Sequence, residues 1–364
     1  MNNFFLLTFF SALILFPVNA SADKDSSGRI FFTGLRFHSA YYWPHSRAVA
    51  PIGEAFPVGI QAEFSWLHTG EKTWNQCNCY PLTGFHITWF NFNKPGILGN
   101  GYTAACFIEP LFSVHRKINF SLRGAAGIAW LTTPYDSVEN PMNLAYSMRL
   151  NGFVMIHLGA YFIISNNLKV NLTANINHIS NGGIKQPNKG INFPGVSAGV
   201  AYSLNPQEIS KRERTGFANS EKKYRKDLSF FVSGKTLVRE LDIYYPVLGT
   251  SILVSRQVGK ISALTASADW MTDYALREKM KLSNREGIDF NRGGILFGHE
   301  FLMGRFALSQ QLGVYLYDPS HENDPVYQRY GLLYKAGKHF LFGINLKAHR
   351  HVADFLDARI GWSW

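Results

Sequence analysis

Near the middle of the chain, Lys169 to Ser180 reads KVNLTANINHIS, and its alternation sorts the residues onto two faces. Val170, Leu172, Ala174, Ile176, His178 and Ser180 share one face, and Lys169, Asn171, Thr173, Asn175 and Asn177 share the other. On a strand, His178 and Ser180 have Cα atoms roughly 6.5–7 Å apart, a gap that an imidazole and a hydroxyl leaning together can close. That is the pair from which a serine nucleophile is built, the imidazole taking the hydroxyl proton. The returning strand places Asn192, Pro194, Val196, Ala198, Val200, Tyr202 and Leu204 on its apolar face. If the loop between them is centred near Lys185, positions 178 and 192 lie opposite one another. Asn192 would then accept the second ring N–H and fix the tautomer, as the third member of a triad does. Gly182 and Gly183 leave the backbone open to an acyl oxygen, and Asn181 would add a side-chain donor. Lys185 and Lys189 sit in the same loop, either as anion contacts or as ordinary solvated residues. The bland reading is a histidine at a membrane interface, a serine that ends a strand and a Gly-Gly turn. What sets the pair apart is its place on the greasy face, where polar groups are costly and usually functional.

The elements that must carry this hairpin follow from the same period. Alternating runs of about ten to thirteen residues, broken by Gly, Asn, Pro or charge clusters, are the signature of transmembrane strands. They fall near 29–42, 55–67, 82–92, 101–114, 119–131, 148–165, 168–180 and 192–204, then 228–239, 247–257, 261–272, 292–302, 305–317, 328–337, 339–349 and 352–364. The fold expected is therefore all-β, a transmembrane antiparallel up-and-down β-barrel of about 16 strands, with 12 as the lower bound. A membrane-spanning sheet must close, since unpaired backbone groups in hydrocarbon each cost several kcal/mol. We favour one closed ring, with an eight-stranded barrel followed by a second unit left open. Counting from a periplasmic first strand, short turns such as Arg116-Lys117 and Asn166-Asn167 fall on the periplasmic side, and the longer 132–147, 181–191, 273–291 and 318–327 fall outside. Two connections run against this parity: 68–81 is long for a periplasmic turn and 349–352 short for an external loop.

Composition agrees. Of 364 residues 46% are hydrophobic, 15% aromatic and only 17% charged, which excludes a disordered chain. Residues 1–22 carry no charge and end in Ala20-Ser21-Ala22, the form of a cleaved signal peptide. The chain ends on an alternating aromatic strand, as outer-membrane barrels do. These point to the outer membrane of a Gram-negative bacterium. The division expected is a signal peptide (1–22), barrel strands with the active-site hairpin (23–204), a charged, solvated periplasmic connection (205–227) and additional barrel strands (228–364). That connection is read as a link rather than a nucleic-acid-binding arm, since an exported chain meets no genome. Cys77, Cys79 and Cys106 allow one bridge and one leftover thiol, and no matching Cys or His pair makes a zinc site. No metal or other cofactor is expected. The net charge of +11 suits an anionic lipid partner.

The run from His178 to Asn192, HISNGGIKQPNKGIN, resembles the active-site hairpin of the PagL-type lipid A 3-O-deacylases, with their H-x-S-N…K-Q-P-N-x-G-I signature. The likeness is densest over these residues and looser over the mature chain to about 204. Upstream, Tyr80-Pro81 through Gly84, Leu98-Gly99, Gly124 to Gly127 and Asn140 to Tyr146 look like positions of the larger acyloxyacyl hydrolases. The resemblance implies Ser180 as nucleophile, His178 as base, Asn181 with the glycines as oxyanion site, and hydrolysis of the acyl ester at position 3 of lipid A in the outer leaflet. Lys185 and Lys189 would then lie near lipid A phosphates. Two departures stand out: the family's best-known members carry Glu where this chain has Asn192, and its small members end near position 204. The Asn also matches outer-membrane phospholipase A, whose H-x-S-N-G run and Ser-His-Asn site depend on calcium and on dimerisation, so a homodimer enters as a candidate partner state. A non-enzymatic porin or structural barrel is the third alternative, since a ring of sixteen can enclose water.

Overall fold

The computed structural model describes residues 28–217, 223–237, 243–350 and 352–364; the expected signal peptide lies outside them. Among the described residues sixteen strands form: β1 (Arg29–Ala40), β2 (Val58–His68), β3 (Tyr80–Asn91), β4 (Asn100–Phe112), β5 (Ile118–Leu131), β6 (Leu150–Ile163), β7 (Leu168–Ser180), β8 (Ile191–Ser203), β9 (Tyr224–Thr236), β10 (Tyr244–Gly259), β11 (Ser262–Asp273), β12 (Asn291–Met303), β13 (Phe306–Tyr317), β14 (Val326–Ala336), β15 (Phe340–His349) and β16 (Val352–Ser363). Each lies within a few residues of its expected place.

The closure differs from the ring we favoured. β1 to β8 close as one barrel and β9 to β16 as another, every pair antiparallel. β8 returns to β1 with Phe32 opposite Ser203 and Ala40 opposite Gly195. β16 returns to β9 with Ala358 opposite Val232 and Ser363 opposite Asp227. The physical reason lies in the lumens. An eight-stranded ring is just wide enough to be filled by side chains, and both are filled by groups that reach across them. In the first, Arg123 binds Glu63 at 2.8 Å and Glu109 at 2.6 Å, while His157 Nε2 lies 3.0 Å from Glu109. In the second, Arg329 pairs with Asp357 at 2.7 Å, Arg292 with Asp273 at 2.7 Å and Lys235 with Asp354 at 2.7 Å. Walls twice as far apart would leave these charges in water. A void among Asp227, Ser229, Gln311 and Arg359 has room for about 20 Å³, one water rather than a channel. The water-filled lumen of the porin reading therefore loses its premise.

Outward positions are apolar and exposed: Leu172 51%, Ile176 57%, Val196 61% and Phe230 57%. Inward ones on the same strands, Asn171, Thr173, Asn175 and Asn177, are buried. Exposed aromatics gird both ends of the rings, among them Trp43, Trp89, Tyr102 and Trp130 at one end and Phe112, Phe120 and Tyr202 at the other. Short turns gather at the end holding Ser113 to Lys117 and 164–167, and longer loops at the end holding 41–57, 132–149 and 181–190.

The long turn-end connection between β2 and β3 holds a helix, α1 (Glu71–Cys77), and a Cys77–Cys79 disulfide, with Cys106 free. This accounts for the length of 68–81, one of the two exceptions to the parity; 349–352 remains a short connection at the loop end. Trp74 Nε1 donates to the Glu213 carbonyl at 2.8 Å, Tyr80 Oη to Ser210 O at 2.6 Å and Asn78 Nδ2 to Thr215 O at 2.8 Å. The described part of the inter-barrel connection is thus tied to α1 at these points, while most of its residues remain exposed. A second helix, α2 (Tyr274–Leu282), starts where Asp273 accepts from Leu276 N at 3.1 Å, and it occupies what the sequence marks only as a loop.

Candidate active site

β6, β7 and β8 position the hairpin. The ladder sets His178 opposite Asn192 and Gly152 opposite Ser180, so the three polar side chains rise from adjacent strands on the outer face, next to the loop end. On the inner face the same strands are locked: the Thr173 and Ser197 hydroxyls are hydrogen-bonded at 2.5 Å, and Asn177 Nδ2 donates to Asn175 Oδ1 at 2.7 Å and Phe193 O at 3.1 Å.

Ser180 Oγ lies 2.9 Å from His178 Nε2, and His178 Nδ1 lies 2.6 Å from Asn192 Oδ1. An amide oxygen can only accept, so Nδ1 carries the proton and Nε2 is left as the acceptor for the serine hydroxyl. A fourth residue extends the chain. Asn192 Nδ2 donates to His45 Nδ1 at 2.8 Å, across 147 positions of sequence. An Asn amide can turn either way; His45 as acceptor holds its NH2 outward and its oxygen toward His178. Sequence reasoning missed His45 because it sits alone in the 41–57 loop with no spacing to a partner. The loop is brought down by Trp43 N donating to Asn192 O at 2.9 Å.

The hairpin loop is held by its own polar residues. Asn181 N donates to Asn188 Oδ1 at 3.0 Å, Asn181 Nδ2 to Lys185 O at 2.7 Å, and Gly183 N to Asn181 Oδ1 at 3.1 Å. The Asn181 side chain therefore braces the loop, leaving the Gly182 N–H as the amide of this run that the described loop bonds do not engage. Gly182 and Gly183 have φ of +66° and +87°, a backbone region that disfavours side chains. Lys185 and Lys189 are half-buried, and their backbones serve as anchors: Ser147 Oγ donates to Lys185 O at 3.0 Å and Lys189 N to Leu144 O at 3.1 Å.

Behind them the 132–149 loop is a platform. Tyr146 is fully buried, donating to Leu98 O at 2.7 Å, and burial pushes its phenol pKa up. Asn143 Oδ1 receives Ala145 N at 3.1 Å, and Ala145 O receives Gly190 N at 2.8 Å. The run 140–146, singled out in the sequence, thus supports the hairpin from below. Among the described residues no three His, Cys, Asp or Glu side chains converge as a metal site.

The arrangement is a membrane β-barrel bearing a hydrogen-bonded Ser–His–Asn chain on its outer wall. Two family models match: lipid A 3-O-deacylase (PagL) over residues 58–201, and the acyloxyacyl hydrolase C-terminal domain over residues 224–364. Together they span both rings, and the chain belongs to this family of outer-membrane hydrolases. With its two apolar-walled barrels it is a protein of the Gram-negative outer membrane. Among solved structures, the outer membrane enzyme PagL is 16% identical, covering 46% of this chain and 97% of its own, at a TM-score of 0.35. Neisserial surface protein A is 11% identical over 48% of this chain and 97% of its own, also at 0.35. The translocator domain of the autotransporter NalP from Neisseria meningitidis is 10% identical over 99% of this chain and 94% of its own, at 0.22. No curated protein matches the chain.

Proposed function

We propose that the protein is a serine esterase that removes the acyl chain ester-linked at position 3 of lipid A, working from the outer wall of its first barrel. The observation that carries this reading is the unbroken chain of contacts at 2.9 and 2.6 Å from Ser180 through His178 to Asn192, on a face otherwise apolar. Ser180 Oγ attacks the ester carbonyl as its proton passes to His178 Nε2. The imidazolium so formed is steadied through Nδ1–H by Asn192 Oδ1, which supplies a dipole where a carboxylate would supply a charge. The Gly182 N–H faces the developing oxyanion, with Asn181 keeping the turn open. His178 then returns its proton to the leaving sugar oxygen, and water, activated by the same imidazole, releases the acyl group from Ser180. Lipopolysaccharide presents such esters in the leaflet that the loop end meets, and Lys185 and Lys189 suit its phosphates.

The test is mass spectrometry of lipid A from cells expressing the full chain or Ser180→Ala. Loss of one hydroxyacyl chain with the parent and none with Ser180→Ala is expected. Lipid A unchanged by the parent, or calcium-dependent fatty acid release from phospholipid instead, overturns the substrate assignment.

A further inference from the structure

The second barrel touches the hairpin at the residues closest to the chemistry. Thr236, the last residue of β9, donates its N–H to Ile184 O at 3.1 Å and accepts Gln186 N on its hydroxyl at 3.2 Å. These two hydrogen bonds fasten the loop to the end of a strand from the other ring. At the neighbouring strand, β16, a Cβ added to Gly182 would stand 2.8 Å from Leu356 Cβ, and one added to Gly183 would stand 2.6 Å from Asp354 O. The glycines are therefore required by close approach as well as by their positive φ. Thr236, although its side chain points out of its own ring, is buried at 4% exposure.

The surface that presses on the loop is itself rigidly held. Asp354 binds Lys235 at 2.7 Å and Lys347 at 2.8 Å, and Lys235 also binds Asp273 at 2.8 Å. These bonds fasten the loop ends of β9, β11, β15 and β16 together just behind Thr236 and Leu356. At the opposite end, Lys260 Nζ donates to Asn75 O at 2.8 Å, so the two rings also meet through α1. Below the loop contact, Val196, Val200 and Phe230 are exposed to the extent expected of lipid-facing residues, so the contact is concentrated at the ends.

From this we infer that the C-terminal barrel is a buttress for the oxyanion turn: Thr236 and Leu356 are positioning residues that hold Gly182, Gly183 and Ile184 in the shape that stabilises the transition state. The inference rests on the esterase reading above and gives residues 224–364 a role in it. An oxyanion donor contributes only when it is pre-set, and removal of one such donor typically costs 10²–10³ in kcat. A turn deprived of its buttress samples the donor position part of the time, which lowers kcat about tenfold and leaves KM nearly unchanged, since an oxyanion donor acts in the transition state and not on the bound ester.

The experiment compares full-length parent, Thr236→Val, Thr236→Ser, Leu356→Ala and Ser180→Ala, reconstituted in vesicles containing lipopolysaccharide. Acyl release gives kcat and KM, and hydrogen exchange gives protection of the Gln186 amide. Thr236→Val and Leu356→Ala are expected to lose about tenfold in kcat with KM within about twofold, Thr236→Val to lose Gln186 protection, and Thr236→Ser to keep both. If Thr236→Val fails to assemble, Leu356→Ala and Thr236→Ser carry the kinetic comparison. Full kcat in the folded Thr236→Val and Leu356→Ala variants, with Ser180→Ala inactive, overturns the buttress. An active Ser180→Ala overturns the esterase reading instead.

Discussion

Replacing Asn192 with Ala tests the electronic role of the third residue. The substitution removes the acceptor 2.6 Å from His178 Nδ1 and the donor 2.8 Å from His45, without touching Ser180. In the resting site the lost contact is a neutral hydrogen bond. In the transition state the ring is an imidazolium, and a bond to a charged group is worth about 1.5–3 kcal/mol. Set against the roughly 1 kcal/mol of the neutral bond, the difference of about 0.5–2 kcal/mol falls on kcat, predicting a drop of roughly 2- to 30-fold at about 1.36 kcal/mol per decade. His45 acts through Asn192, so His45→Ala frees the amide to turn and costs no more than Asn192→Ala itself, at most about 30-fold. Their double variant should be no slower than Asn192→Ala alone, because the second change has nothing left to act on. Acyl release from lipopolysaccharide at saturating substrate measures all three. An Asn192→Ala enzyme with the full kcat of the parent would show that the amide does no work on the imidazole. A double variant whose losses multiply would place His45 in a separate role.

Two further outcomes follow from distances. In Gly190→Ala the new Cβ would lie 2.8 Å from His178 Cε1 at a φ of +78°, so the ring must shift; displacement on the order of 1 Å costs about 10²-fold. Circular dichroism should show the barrels intact while acyl release falls by that factor, and parental activity would contradict the crowding. Arg123→Ala leaves Glu63 and Glu109 buried without their shared cation, which destabilises by about 3–5 kcal/mol; a shift under about 1 kcal/mol in urea unfolding of the vesicle-inserted protein would refute a supporting role for these lumen ion pairs.

Alternation made the strands legible, because lipid on one side and a polar interior on the other impose a period that few other folds share. It also made the site legible: placing Asn192 opposite His178 needs only a count outward from Lys185, and the ladder has that register. Closure was not readable from the same pattern, since a strand's faces look alike in a ring of eight or sixteen. The signal that bears on it is the charge on the inward face, one group in each of several strands with opposite signs, as in Arg36, Glu63, Glu109 and Arg123. Such residues can neutralise one another only across a narrow lumen. His45 and the tie between Thr236 and the hairpin depend on contacts between segments far apart in sequence. No local period records those.

The filled lumens and the outward site belong to one physical argument. The chemistry proposed for the outer wall needs no passage through the ring, so the interior is free to be spent on stiffness. Thr173 with Ser197 and Asn177 with the Phe193 carbonyl clamp β7 to β8 from inside, directly beneath the strands that carry His178 and Asn192 outside. A triad depends on spacing to within about 0.5 Å, and a slip of one residue between these strands would turn Asn192 inward and leave His178 facing Ile191 or Phe193. The inner clamps make such a slip costly, because each would leave a buried hydroxyl or amide unpaired at about 1–3 kcal/mol. What the ladder cannot hold is the turn beyond Ser180, where backbone pairing ends and glycines take over. That is the point at which Asn181, Asn188, the 140–146 platform and the end of the second barrel converge.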